Sequence, residues 1–139
     1  MAVCIHGIGA YSFHFDGFVK QLNLIGYDVL RYDLLGRGHS EYPEDGKFDA
    51  NAHLQQLFQL LQERSLTERK LTLIGHSMGG ALAMLFTNTY KYELFINRVI
   101  LLAPAGLMDP GPLPLLRRGG CIKSLARKML SGGQEAEWR

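Results

Sequence analysis

Residues 71–90 constrain this chain more than any other stretch, and within them the five residues Gly75-His76-Ser77-Met78-Gly79. Leu71-Thr72-Leu73-Ile74 is a short apolar run with charge before it and glycine after it, the pattern of a buried strand. Gly79-Gly80-Ala81-Leu82-Ala83-Met84-Leu85-Phe86 is small and then mostly apolar, the pattern of a helix buried on several sides. A strand that enters a helix through Gly-x-Ser-x-Gly has little freedom. The serine is carried out of the sheet on a sharp turn, with its backbone strained. The residues two places to either side must be small, or strand and helix would clash, and Gly75 and Gly79 meet that need. The helix starts at the serine, so its free N–H groups and its dipole point to where a negatively charged oxygen would form. The alternative is a chance Gly-x-Ser-x-Gly in a loop, and the flanking strand and helix argue against it.

This strand–turn–helix pattern is that of a nucleophile elbow, with Ser77 as the attacking group. At 139 residues the chain is in single-domain range, and 47% hydrophobic with 20% charged residues excludes a disordered polyelectrolyte. A formal net charge of +2 is too small to imply nucleic acid. Met1-Ala2 runs directly into a strand-like segment without a cationic lead or cleavage site, and no apolar run is long enough to span a bilayer. A cytoplasmic or peripheral-membrane location is therefore expected. Cys4 and Cys121 are far apart, with no metal spacing, so neither a metal nor a disulfide framework is expected, and a reducing compartment fits.

In chain order, Ala2-Val3-Cys4-Ile5 reads as a strand ended by the turn His6-Gly7-Ile8-Gly9. Ser12 is placed to cap a helix that buries Phe15, Phe18, Val19, Leu22 and Ile25 on one face, with Gly26 as its stop. Residues 27–32 form the next strand, followed by a loop from Asp33 to Ser40 and on through Pro43 and Gly46. Asp49 is placed to cap a helix with Leu54, Leu57, Phe58 and Leu61 on one face. After the elbow and its helix, Val99-Ile100-Leu101-Leu102-Ala103 reads as a fourth buried strand stopped by Pro104. Strict alternation of strand and helix predicts an α/β fold, a parallel sheet with helices on both faces in three layers. Ligands in such sheets bind beyond the carboxyl ends of the strands, where Gly7, Asp33, Ser77 and Pro104 all lie.

From Leu107 the character changes. Pro110, Pro112 and Pro114 with Gly111 make a stiff stretch that cannot be helix interior. A basic segment over 117–130 follows, with Arg117, Arg118, Lys123, Arg127 and Lys128 and no acidic residue. Ile122, Leu125, Ala126, Met129 and Leu130 share one helical face. That segment suits peripheral membrane contact or a cover over a lipid-binding cleft, and it equally suits an ordinary amphipathic helix packed on its own protein. The expected division is a core over 1–106 and a cap or frayed extension over 107–139.

Four separate stretches agree in kind, spacing and order. His6-Gly7-Ile8-Gly9, the run from Asp33 through Gly36 and Gly38 to Ser40, Gly75-His76-Ser77-Met78-Gly79-Gly80, and residues 99–104 together resemble the α/β-hydrolase fold. Within it the resemblance is to monoglyceride-lipase-like and lysophospholipase-like serine hydrolases. It implies Ser77 as nucleophile, with the backbone N–H groups of Ile8 and Met78 as the oxyanion hole and the side chains of Ile8 and Met78 as pocket wall. Gly75, His76, Gly79, His6 and Gly7 would support the elbow and the facing turn, and His6, Asp33, Arg37 and His39 would hold loops in place. The implied substrate is a small-molecule carboxylic ester, acyl-glycerol or lipid-like, cleaved through an acyl-enzyme without metal or cofactor. A serine at the elbow argues against the family's dehalogenases and epoxide hydrolases, which use aspartate there. Peptidases, thioesterases and acyltransferases share the elbow.

The family order is serine, then acid, then histidine. All five histidines here, His6, His14, His39, His53 and His76, precede Ser77, and Asp109 follows the fourth strand, where a minority of the fold carries its acid. The resemblance further implies two strands before Ala2 and two after the last residue, so a partial core with the start of a cap is expected, of marginal stability alone. A catalytically inactive module that binds a ligand or partner is the competing expectation. A dinucleotide site is a third: Gly7-Ile8-Gly9 follows a strand and Asp33 ends the next, but Ser12 replaces the third glycine and the elbow is left unexplained.

Overall fold

The computed structural model describes residues 1–106, save 45 and 47. The proline-rich stretch, Asp109, Cys121 and the basic segment lie outside the described residues. Four strands, β1 (Ala2–Ile5), β2 (Val29–Arg31), β3 (Leu71–His76) and β4 (Ile96–Leu102), form one sheet. Their order is β2-β1-β3-β4 and every pair is parallel, with Ala2 beside Val29 on one side and Thr72 on the other. Three helices, α1 (Asp16–Leu24), α2 (Ala50–Glu63) and α3 (Met78–Thr89), connect them.

Side chains that alternate along the central strands divide the core in two. Val3, Ile5, Leu71 and Leu73 face α2 and α3, where Leu54, Leu57, Leu61, Leu82 and Phe86 complete one cluster. Ala2, Cys4 and Ile74 face the other way, onto Phe15 and the Val19 and Leu22 side of α1. This is the expected three-layer parallel fold. Both faces of β1 are covered, so its four residues are all buried and none is polar.

Helix ends follow local chemistry. Asp49 caps α2, its carboxylate accepting from the Ala52 N–H at 2.8 Å. At the end of α1 the N–H groups of Gly26 and Tyr27 donate to the carbonyls of Asn23 and Leu22, with Gly26 at φ +84°, a Schellman stop. The same motif ends α2 through Ser65 and Leu66, with Ser65 at φ +54°.

Three expectations are corrected. Ser12 does not cap a helix: it opens a 3₁₀ turn, Ser12–Phe15, and its N–H donates to Asp33 Oδ1 at 2.6 Å. Phe18 and Ile25 stay exposed, because among the described residues only the Phe15, Val19 and Leu22 side of α1 meets the sheet. The last strand begins at Ile96, earlier than expected, and is half-buried, because it pairs on one side alone among the described residues.

Candidate active site

Ser77 lies between β3 and α3 with φ 52° and ψ −118°, a conformation that costs an L-residue about 1–3 kcal/mol. Its surroundings over-determine it. The Ser77 N–H donates to the Leu102 carbonyl at 3.0 Å, and the Ser77 carbonyl accepts from the N–H groups of Gly80 at 3.0 Å and Ala105 at 2.9 Å. The end of β4 and the turn beyond it therefore hold the serine from both sides.

Three glycines make that fit sterically feasible. A Cβ at Gly75 would overlap the Gly79 carbonyl, which is the strand–helix clash expected from sequence. A Cβ at Gly79 would instead overlap the carbonyls of Ile5 and His6, so Gly79 is small because the end of β1 passes against the helix start. At Gly80 it would stand 2.7 Å from Pro104 Cβ.

The turn after β1 packs on the serine. A Cβ at Gly7 would sit 3.0 Å from Ser77 Cβ and 3.3 Å from His76 Nδ1. Ile8 follows, 43% exposed. Among the described residues, neither the Ile8 N–H nor the Met78 N–H donates to a protein acceptor. Met78, in the first turn of α3, packs into the core with Leu82.

His6 is fully buried and both its nitrogens are engaged. The Leu34 N–H can only donate, so Nε2 accepts it at 2.9 Å, and Nδ1 carries the proton to the Gly7 carbonyl at 2.8 Å. Burial lowers its pKa below the ordinary value, outweighing the bond to Gly7 that would raise it. His6 thus ties the turn after β1 to the loop after β2, as expected of a loop-holding residue.

Asp33 does the same one layer out. Its carboxylate accepts from the N–H groups of Ser12 at 2.6 Å and His39 at 3.0 Å. Burial acts to raise its pKa, but these donors outweigh burial and hold the carboxyl below the usual range. Gly38, at φ +53°, leaves the room this carboxylate fills. Among the described residues Arg37 reaches the neighbouring Gly36 carbonyl, at 2.9 Å, and His39 contributes its backbone and lines a groove of about 420 Å³ beside α2.

Sequence reasoning missed two residues. Gln56, on the inner side of α2, donates to the Asp33 carbonyl at 2.9 Å and accepts from the Leu35 N–H at 3.1 Å, pinning the loop to the helix. A glutamine in an amphipathic helix carries no pattern that marks it. His14, in the 3₁₀ turn, stacks on His76 with ring centroids 4.8 Å apart and 26° between planes. Among the described residues the buried Nδ1 of His76 has no hydrogen-bond partner, nor has that of His53 in α2.

Ser77 thus stands strained between a central strand and a helix, faced by a glycine turn from the neighbouring strand. The family described as serine aminopeptidase, S33, matches residues 1–135. The chain belongs to this family of α/β-hydrolases. It is 32% identical over 120 residues to Lipase 1 of Psychrobacter immobilis, covering 86% of this chain and 36% of the lipase. With the monoglyceride lipase of Rattus norvegicus it shares 27% over 128 residues, 91% of this chain and 40% of that protein. Among solved structures, the esterase EaEST of Exiguobacterium antarcticum superposes with a TM-score of 0.64 at 28% identity, over 76% of this chain and 38% of the esterase. The chain thus spans about two-fifths or less of the length of these proteins. Among the described residues no group of three or more His, Cys, Asp or Glu side chains is placed to hold a metal ion, and no helix is long and apolar enough to cross a membrane.

Proposed function

We propose that this hydrolase cleaves a carboxylic ester through an acyl-enzyme on Ser77, and that the substrate is an acyl-glycerol or similar lipid-like ester. The observation that carries the reading is the Ser77 backbone, held at positive φ by hydrogen bonds at both its N–H and its carbonyl at the start of α3. In this reading Oγ attacks the carbonyl carbon as a base takes its proton. The carbonyl oxygen becomes an oxyanion, received by the two unpartnered N–H groups of Ile8 and Met78. The alkoxide then leaves with the proton, and water releases the acid from the serine ester by the same path.

His6 is excluded as the base because both its nitrogens are engaged in the fold. The base and its orienting carboxylate are assigned to parts of the protein beyond the described residues, in the family order of serine, acid, histidine. Lipase and esterase relatives support the ester class, while the family description as an aminopeptidase makes an amide the competing substrate.

The test is hydrolysis of monoacylglycerols and of amino-acid amides by the full-length protein. Turnover of the glyceride, lost by about a thousandfold or more in Ser77→Ala, is expected. Turnover confined to amides would replace the substrate class. Turnover of neither by a folded sample would favour the inactive binding module.

A further inference from the structure

We propose that His14 is a positioning residue that sets the spacing between the two oxyanion donors; this rests on the reading of Ser77 given above. The two donors come from different pieces of chain. Ile8 is in the turn after β1, and Met78 is the first residue of α3, so their spacing depends on how that turn is held against the elbow. The Asp33 carboxylate ties Ser12 to the loop after β2, and His6 ties Gly7 to the same loop. Neither of these side-chain tethers is anchored on the elbow, which the turn meets where Gly7 packs against Ser77 Cβ.

His76 supplies a side-chain connection beside that backbone contact. It is the last residue of β3, directly before Ser77. Its ring edge lies against Gly7 on one side, and His14 stacks on it from another, with 4.8 Å between centroids. His14 is itself held from behind by Phe15, a core residue, whose ring meets it edge-on at 5.5 Å and 89°. A path of ring contacts therefore runs from the core through Phe15 and His14 to His76, and joins the segment from Gly7 to Phe15 to the elbow. Catalytic donors need placement to within about 0.5 Å, and a flexible turn between Gly7 and Ser12 would not supply it. The His14 side chain is otherwise exposed, so the fold has little stake in it.

The experiment uses the full-length protein and two readouts. One is the second-order rate at which a fluorophosphonate labels Ser77. Oγ attacks phosphorus, fluoride leaves, and the phosphoryl oxygen occupies the oxyanion hole. The other is kcat and KM on p-nitrophenyl butyrate. His14→Ala is expected to lower labelling and kcat by about tenfold or more, with KM within about twofold and Tm unchanged. His14→Phe, which keeps a stacking ring without a nitrogen, is expected to recover most of the loss. Wild-type rates in His14→Ala overturn the proposal. So does a Phe variant as slow as the Ala variant, or a loss that follows a fall in Tm. If the wild type does not label, or Ser77→Ala labels equally, the reading of Ser77 fails and this inference goes with it.

Discussion

At Ser77 the chain spends conformational energy where a hydroxyl has to be presented, and its neighbours are chosen to make that conformation the only one that fits. The glycines around it separate into two kinds. Gly79 is needed for space, since an added Cβ would overlap the Ile5 carbonyl, whereas Gly9 is needed only for its φ of +71°, with nothing within 4 Å of an added Cβ. Gly79→Ala is therefore expected to destabilise by about 3 kcal/mol or more, because backbone and not a flexible side chain must move. Gly9→Ala should cost about 1–2 kcal/mol from its backbone alone. Denaturant midpoints of the two variants measure the difference, and equal losses would contradict the assignment. Two buried histidines give a pH dependence at the same scale. Burial lowers the pKa of both His6 and His53 below the ordinary 6.5. The unfolded chain thus binds more protons as pH falls past that value, so their stabilisation is complete above it and is lost as pH falls through the folded values. Asp33, lowered from 3.8, adds a second loss at still lower pH. The midpoint should fall between about pH 7.5 and 5, and fall less in His53→Phe. A flat profile would contradict this.

Elements here begin and end on local chemistry, and that is where small gains in stability are to be found. Ser65 occupies the left-handed position of a Schellman motif at φ +54°, a place that suits glycine. Ser65→Gly should stabilise by about 0.5–1 kcal/mol, while Asp49→Ala, which removes the carboxylate that caps α2, should cost about 1 kcal/mol. Opposite signs in thermal unfolding check both, and a destabilised Ser65→Gly would contradict the motif's role. The Asp49 cap and the Gly26 stop were legible in the sequence because each acts within its own turn of chain. The four strands were legible because apolar runs in a parallel sheet are nearly continuous. Ser12 misled because it bonds Asp33, 21 residues away, and does not cap a helix of its own. Gln56, His14 and the contact of Gly80 with Pro104 were invisible for the same reason: each depends on which distant residue it meets. In the site, then, glycine spacing revealed the serine and its helix, and long-range contacts supplied what holds the facing turn.

For the molecule as a whole, the described residues leave apolar surface uncovered. Leu24 is 77% exposed, Ile25 71% and Phe95 61%, and β2 and β4 each pair on one side alone. Exposed apolar groups and open strand edges favour association. The 139-residue polypeptide by itself is expected to bind a hydrophobic dye and to melt broadly, and a sharp, reversible two-state transition of a monomer would contradict this. The central claim, that Ser77 is the nucleophile, is tested most directly by treating the full-length protein with a fluorophosphonate and mapping the adduct by mass spectrometry. Cleavage after Lys70 and Lys91 releases residues 71–91, in which Ser77 is the only serine. The account predicts the phosphonyl mass increment on Ser77 and its loss in Ser77→Ala. An adduct on another residue, or labelling that survives Ser77→Ala, would contradict it.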